Sequence, residues 1–265
     1  MTETAPKKPA NDNPGPDITV FVWRGTRDGG EEKPYTVELA PGMVVLDAVH
    51  YIQAHHAPDL AVRWNCKANH CGSCGAEVNG RPRLLCKTRV DDYVRQNEPI
   101  HIGPMKTFPV IRDLVTDYRW NYEVARRITP FRPAHPAPFQ LWQRDVARIQ
   151  EFRRCIECFL CQDVCHVLRN HDRKDVYVGP RFILKMAELA MHPMDTVDRI
   201  PDIRQAGGID RCNVTRCCSE ICPEAIAITE NAIIPLKERV ADRYFDPIRD
   251  LLKRPGRTEE AHSPT

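Results

Sequence analysis

The sequence predicts an α+β fold in two parts, a strand-rich first half and a mainly α-helical second half. Three observations predict it. β-branched and aromatic residues dominate two short stretches near the beginning, apolar residues recur at helical spacing in several later stretches, and cysteines occur as separate sets in the two halves. With 265 residues, the chain is long enough for one large or two modest domains.

The first half is predicted to contain two hairpins separated by a helix. Ile18–Gly25 and Pro34–Ala40 are rich in β-branched and aromatic residues, which favours two strands joined by a glycine-containing turn. A helix is predicted over residues 44–56, where apolar side chains recur at helical spacing. The second hairpin turns at Asn79-Gly80, because this dipeptide is the strongest short hairpin signal.

The second half is predicted to be helical, with one stiff interruption. Val110–Ile128 is predicted to be a helix, and residues 129–139 contain four prolines that favour an extended connector. Further helices are predicted over residues 142–152, which lead into a cysteine motif, over residues 181–191, and after Thr229.

These patterns divide the chain into two domains between two tails. We expect a first domain over residues 17–108 and a second over residues 109–252. The polar, proline-rich residues 1–16 and the polar residues 253–265 are predicted to be disordered.

Composition excludes several classes of protein. The 38 basic and 36 acidic residues nearly balance, so no electrostatic footprint for nucleic acid is present. The first residues lack an apolar signal-peptide region and a twin arginine, and no apolar run is long enough to span a bilayer. We therefore expect a reducing compartment, in which the twelve cysteines are not a disulfide framework.

The first set of cysteines has the spacing of a plant-type 2Fe–2S site. Cys66, Cys71, Cys74 and Cys86 follow the pattern Cys-x4-Cys-x2-Cys with a fourth cysteine further on. The alternative is zinc, which usually takes paired Cys-x2-Cys knuckles that this loop does not have. The spacing favours the cluster.

Two further runs of cysteines have the spacing of a bacterial two-cluster ferredoxin. In such proteins the last cysteine of each run binds the cluster that the other run holds. That rule assigns one 4Fe–4S cluster to the thiols Cys155, Cys158, Cys161 and Cys222.

The second cluster lacks one thiolate. Thr215 stands where a ferredoxin run has its middle cysteine, and the crossing rule leaves Cys165, Cys212 and Cys218. A hydroxyl is a poor ligand for iron of this kind, so the sequence predicts a 3Fe–4S cluster. Because one thiolate fewer means less negative charge, we expect this cluster to have the higher reduction potential.

Cys217 is the one cysteine left over. Free cysteines are usually buried and unreactive, and we expect the same here. Two alternatives stay open: Cys217 could replace Cys218 as a ligand, or it could partly fill the vacant corner and allow interconversion between three and four irons.

A plant-type 2Fe–2S domain with a β-grasp fold, followed by a mainly α-helical bacterial-type ferredoxin domain, resembles the iron–sulfur subunit of succinate dehydrogenases and fumarate reductases. The resemblance covers about residues 17–250 and all eleven ligand positions. It implies two partners, a flavoprotein subunit carrying FAD and a transmembrane anchor. It also implies electron flow from FAD through 2Fe–2S, 4Fe–4S and 3Fe–4S clusters to a quinone, with the chain peripheral on the cytoplasmic face of the inner membrane.

Several positions depart from the family pattern near the expected quinone. The family usually has proline at position 166, tryptophan at 170, histidine at 213 and an aliphatic residue at 215. This chain has His166, Asn170, Asn213 and Thr215, which become the candidate quinone-side residues. The departures indicate an altered quinone pocket, which either binds menaquinone or is built mostly by the anchor.

Three alternative functions remain. A fumarate reductase uses the same clusters in the opposite direction, and another flavoenzyme complex could use a similar subunit, although those relatives carry two complete cubane motifs. A zinc-stabilised binding module is the alternative from another class. No constellation of catalytic acid, base or nucleophile is present, so the sequence predicts electron transfer without bond chemistry on this chain.

The role of Thr215 as the residue at the missing ligand position can be tested directly. Thr215→Cys restores the fourth thiolate, so we expect the three-iron centre to become a four-iron cluster of lower reduction potential. Electron paramagnetic resonance (EPR) of the oxidised protein measures the change as loss of the three-iron signal. An unchanged signal in this variant would show that position 215 does not face the vacant corner.

Overall fold

The computed structural model describes residues 17–246. Both predicted disordered tails, and the last residues of the predicted second domain, lie outside the described residues. Within them the chain has the expected α+β fold, a mixed sheet followed by short helices.

The first half is built on one mixed sheet. Strands β1 (Asp17–Thr26) and β2 (Gly29–Glu38) form an antiparallel hairpin. The other strands are β3 (Gly75–Val78), β4 (Arg81–Leu84), β5 (Ile100–Gly103), β6 (Val110–Arg112) and β7 (Val115–Thr116). The order is β4-β3-β5-β1-β6-β7, with β2 also paired to β1. The two predicted hairpins are both present, and the second turns at Asn79-Gly80 with positive φ at both residues.

Helix α1 (Val45–His55) covers one face of this sheet. Its apolar side chains Val45, Val49 and Ile52 are fully buried, as their spacing predicts. The Asp47 carboxylate accepts a hydrogen bond from the Val44 N–H at 3.1 Å, which fixes the beginning of the helix. A shorter helix, α2 (Val90–Arg95), precedes β5.

The prediction of a helix over Val110–Ile128 is wrong for the first half of that range. Strands β6 and β7 occupy that stretch, and helix α3 begins only at Arg119 and ends at Arg127. The reason is Asp113: its buried carboxylate accepts hydrogen bonds from the Arg24 Nε at 3.0 Å, the Gly25 N–H at 3.0 Å and the Ala61 N–H at 2.9 Å. These bonds attach the segment to the edge of β1, so the sheet continues past residue 108; the boundary there stays a prediction.

The second half is a set of short helices around its own core. They are α4 (Gln143–Gln150), α5 (Leu160–Val164), α6 (His166–Arg169), α7 (Pro180–Ala190), α8 (Ile200–Gln205), α9 (Cys217–Ile221) and α10 (Ile234–Tyr244). A π-helical segment, Ile228–Ile233, precedes α10, so the regular helix starts later than predicted. Phe152, Ile183, Ile203 and Leu236 are buried at the centre of this half.

The two halves pack tightly against each other. Phe159 and Leu160 of the second half lie in the apolar core of the first. The Thr107 N–H donates to the buried Asp163 carboxylate at 2.9 Å, and Arg169 of α6 forms an ion pair with the buried Glu77 of β3 at 2.7 Å. The relative position of the halves is therefore fixed by both apolar burial and paired charges.

Gly72 lies at the closest backbone approach between the loop of the first cysteine set and the second half. It has φ +67°, and a Cβ there would lie 2.8 Å from the Ile156 carbonyl oxygen and 2.9 Å from the Cys158 Cα. These neighbours are backbone atoms of a cysteine-bearing segment. Only glycine fits at this position without moving one segment away from the other.

Gly72→Ala tests this contact. The left-handed backbone alone costs about 1 kcal/mol for alanine, and the clash adds about 1–3 kcal/mol. We expect a melting temperature several degrees below that of the unsubstituted protein, measured by circular dichroism on the cluster-loaded protein.

Gly80→Ala is the matched control for this substitution. Gly80 has a similar φ of +74°, but a Cβ there meets nothing within 4 Å. An equal loss in both variants would mean that the close approach at Gly72 contributes nothing beyond its backbone conformation.

Candidate metal centres

The first cysteine set lies on a loop whose backbone N–H groups point at sulfur. The Cys66 Sγ accepts hydrogen bonds from the N–H groups of Ala68 and His70 at 3.3 Å and from that of Cys71 at 3.4 Å. Positive φ angles at Lys67 and Asn69 produce the tight curvature that allows this. Such N–H donors stabilise negative charge on a thiolate and raise the potential of a cluster bound to it.

The remaining members of this set adjoin the loop. Burial raises the pKa of Cys71, but hydrogen bonds from Ser73 and from the Cys66 backbone outweigh it and lower the pKa to about 6. Burial raises the pKa of Cys74 to about 12, with a further contribution from neighbouring Cys86. The Cys86 N–H lies 3.5 Å from the Cys74 Sγ, so the hairpin brings the distant fourth cysteine to the other three.

The second half contains one loop–helix unit twice. In the first copy Glu157 and Phe159, which flank Cys158, have φ of +54° and +60°. In the second copy Val214 and Arg216, which flank Thr215, have φ of +60° and +65°. A short helix, α5 or α9, follows in each copy and ends immediately before a cysteine, Cys165 or Cys222. Thr215 therefore occupies the backbone position that Cys158 occupies in the first copy.

Cys222 lies beside the cysteines of the first copy. Burial raises the pKa of Cys155 and raises that of Cys158 to about 12, and the charge of Cys222 raises both further. Cys161 is fully enclosed, so its pKa lies well above the usual value. The guanidinium of buried Arg181 opposes the rise at Cys155. The four thiols predicted for the 4Fe–4S cluster are thus brought together next to a cation.

The cysteines predicted for the third cluster share one small cavity. Cys165, Cys212 and Cys218 all line it, and burial raises the pKa of Cys165 to about 11 and that of Cys218 to about 12. The charges of the neighbouring thiols add to both shifts. The structure places the last cysteine of each run beside cysteines of the other run, as the crossing rule requires, and which thiols bind iron stays a prediction.

Cys217 also lines this cavity, and the expectation of a buried thiol is wrong. Its side chain is half-buried, and its Sγ lies 3.3 Å from the Thr215 Oγ1. Its charge contributes to the raised pKa of Cys165 and of Cys218. The cavity is therefore lined by four thiols rather than three.

Of the four candidate quinone-side residues, the structure brings three together. His166, Asn213 and Thr215 line the same cavity, and the Asn213 Nδ2 lies 2.7 Å from the His166 Nε2. Asn170 is exposed at the end of α6 and does not line the cavity. The altered positions 166 and 213 thus form one polar pair.

Sequence reasoning missed two cavity residues. Tyr177 is buried and lines the cavity, with its hydroxyl beside the Cys212 thiol. Burial, and then the charges of Cys212, Cys165 and Cys218, raise its pKa well above the usual value. Thr229 Oγ1 lies 3.2 Å from the Cys218 Sγ. In the sequence, nothing distinguishes Tyr177 or Thr229 from an ordinary core residue.

These features fit iron–sulfur clusters. The thiols lie in three groups, the third with Cys217 in addition to its predicted members; N–H donors point at sulfur in the first, and the buried Tyr177 hydroxyl faces the third. Each kind of donor is one that tunes a bound cluster.

Two other features are absent from residues 17–246. No three side chains of His, Cys, Asp or Glu converge closely enough to hold a single metal ion. No helix there combines the length and the apolarity needed to cross a bilayer.

Comparison with protein-family models gives two matches in the expected order. Residues 18–122 match a 2Fe–2S iron–sulfur cluster binding domain, and residues 151–226 match a 4Fe–4S dicluster domain. The chain therefore carries binding domains for both kinds of cluster.

Known proteins with similar sequences and structures include iron–sulfur subunits. The chain is 30% identical over 200 residues to a fumarate reductase iron–sulfur subunit of Mycobacterium tuberculosis, covering 72% of this chain and 79% of that one. It is 32% identical over 223 residues to an uncharacterized iron–sulfur protein of Methanocaldococcus jannaschii, covering 83% of this chain but only 42% of that protein. A chain of the Mycobacterium smegmatis Sdh1 complex in the apo form superposes with a TM-score of 0.86 at 55% identity, covering 89% of this chain and all of that one.

The paired cluster domains, their order and these relatives agree on one assignment. The chain belongs to the family of iron–sulfur electron-transfer subunits of the succinate dehydrogenase and fumarate reductase complexes.

Proposed function

We propose that this chain is the electron-transfer subunit of a membrane-bound succinate dehydrogenase. It takes electrons from FAD in a flavoprotein subunit and delivers them to a quinone at a transmembrane anchor. Cys66, Cys71, Cys74 and Cys86 hold the 2Fe–2S cluster, Cys155, Cys158, Cys161 and Cys222 the 4Fe–4S cluster, and Cys165, Cys212 and Cys218 the 3Fe–4S cluster. Residues 17–108 and 109–252 form the two domains.

The observation that carries this proposal is the linear sequence of contacts between the three cysteine groups. Gly72, between two cysteines of the first group, would place a Cβ 2.9 Å from the Cys158 Cα of the second. Cys161 of the second group and Cys218 of the third lie close enough for their charges to interact. Electrons entering at the first group therefore meet the other two in order.

The cysteines of this chain bind and orient the clusters, which supply the electron-carrying chemistry. Donors around the first group stabilise thiolate charge. Thr215 in place of a thiolate removes negative charge at the third group. The missing thiolate raises the potential at the third group and so favours electron flow toward it, whereas the N–H donors raise the potential at the first group, where electrons enter.

Fumarate reduction is the second candidate, supported by the names of relatives about 30% identical. We favour succinate oxidation because the 55% identical chain belongs to a complex named Sdh1. An iron–sulfur subunit of another flavoenzyme complex is the third candidate, and Thr215 in place of a cysteine argues against it.

The first test is EPR of the complex, purified without oxygen and then oxidised. We expect a three-iron signal that disappears when succinate is added, because succinate reduces the clusters through FAD. Malonate, a competitive analogue of succinate, should prevent the disappearance and serves as the control. A signal that persists with succinate but disappears with dithionite would contradict succinate oxidation while leaving the cluster assignment intact.

His166→Ala tests the quinone end. His166 and Asn213 form the polar pair beside Cys165 and Cys212, so we propose that they contact the quinone or the cluster at the electron exit. We expect a several-fold loss of succinate–quinone activity with little change in succinate reduction of a soluble dye.

His55→Ala is the matched control, since His55 is an exposed histidine on α1 in the other half. Equal quinone activity in the two variants would place the quinone contact elsewhere.

A further inference from the structure

The third cysteine group contains one thiol more than the proposed cluster uses. Three cysteines are assigned to the 3Fe–4S cluster, while the cavity is lined by four thiols. We infer that Cys217 is a reserve ligand that supplies the missing fourth thiolate when Fe²⁺ enters the vacant corner. The inference rests on the proposed function, because it presupposes a three-iron centre at this cavity.

Comparison of the two loop–helix units defines the vacant corner. In the first copy the position between the two positive-φ residues carries Cys158, one of the four grouped thiols. In the second copy the same backbone carries Thr215, flanked by Val214 and Arg216 in the same conformation. The backbone of a four-ligand loop is therefore retained, and only its central donor is replaced.

Cys217 lies at that corner. Its Sγ is 3.3 Å from the Thr215 Oγ1, so the thiol meets the side chain that occupies the position of the missing ligand. It is half-buried, lines the cavity with Cys165, Cys212 and Cys218, and begins helix α9. The corresponding residue of the first copy, Leu160, is instead buried in the apolar core of the first half. A thiol that faces the cavity at this position has no packing role that would explain it.

The step balances without an unnamed reactant. A one-electron reduced three-iron core is neutral, and adding Fe²⁺ gives a four-iron core with two positive charges. The Cys217 thiol loses one proton to solvent and its sulfur forms the bond to the added iron. The reverse step requires removal of one electron from the four-iron core, after which Fe²⁺ leaves and the Cys217 thiolate takes up a proton. Succinate through FAD, or dithionite, supplies the electron in one direction, and ferricyanide accepts it in the other.

The exchange would set the potential of the last centre. A fourth thiolate adds negative charge, so the four-iron form has the lower potential and accepts electrons from the 4Fe–4S cluster less readily. The availability of Fe²⁺ under reducing conditions would thereby lower electron delivery to quinone.

The test uses the intact purified complex in three forms, unsubstituted, Cys217→Ser and Thr215→Val. Each is reduced with dithionite, incubated with Fe²⁺, freed of excess iron on a column and reoxidised mildly. EPR then measures the three-iron signal, and chemical analysis measures iron per chain. In the unsubstituted complex we expect loss of most of the three-iron signal and gain of one iron per chain, both reversed by ferricyanide. We expect the same in Thr215→Val, whereas Cys217→Ser should keep its full signal and gain no iron.

Each other outcome is decisive. Conversion in Cys217→Ser equal to that of the unsubstituted complex would overturn the inference, and its loss in Thr215→Val alone would assign the corner to the hydroxyl. If the unsubstituted complex kept its three-iron signal after incubation with Fe²⁺, the inference about Cys217 would also be overturned. The proposed function would still stand in that case, because the three-iron centre would be present. Absence of any three-iron signal in oxidised Cys217→Ser, with the complex assembled and the other clusters present, would contradict the proposed three-iron centre itself. Cys217→Ala, which cannot supply an oxygen ligand, serves as the second variant if the serine form fails to assemble.

Discussion

The packing of the two loop–helix units against each other is the constraint on which the second half depends. Helices α5 and α9 are in contact, and this contact carries the last cysteine of each unit to the first cysteines of the other. In the proposed ligand assignment neither unit alone surrounds a cluster, because each supplies its final thiol across the interface. On that assignment, cluster binding and the folding of this half would be coupled, as in other proteins whose metal ligands converge only in the folded chain.

The same burial that builds these sites makes them unstable as free thiols at high pH. Burial raises the pKa of Cys158, Cys165 and Cys218 above that of an exposed cysteine, so each thiol stays neutral in the folded chain without iron. A raised pKa means that stability present below the unfolded pKa is lost as pH rises toward the folded one. Iron removes this penalty by binding the thiolate, and buried Arg181 offsets part of the remaining negative charge near Cys155. At neutral pH these thiols are protonated, so binding iron also requires each of them to lose a proton.

The sequence predicts those parts of the fold and of the cysteine groups whose signature lies within a short stretch of residues. The hairpin at Asn79-Gly80, helix α1 and the three cysteine groups were predictable, because turn chemistry, periodicity and ligand spacing each have a local signature. The strands β6 and β7 were not, since Asp113 is held by Arg24 and Ala61, which are distant in sequence. Tyr177 is an ordinary core aromatic in sequence, and only the fold turns its hydroxyl toward the cavity of the third group. Cys217 was assigned to a buried position on general grounds, and its place at the cavity follows from the loop geometry.

The surroundings of the three groups act on negative charge in different ways. At the first group N–H donors stabilise thiolate charge, at the second the Arg181 guanidinium lies near Cys155 and Cys161, and at the third Thr215 stands in place of a cysteine. The close contact at Gly72 fixes the first step, and the shared packing of α5 with α9 fixes the second. Both of these contacts involve backbone or buried groups, the Cys158 Cα at the first step and the buried Cys161 and Cys218 at the second. Under the proposed function, the corner between Thr215 and Cys217 is where a change in ligand number would alter the potential of the last centre.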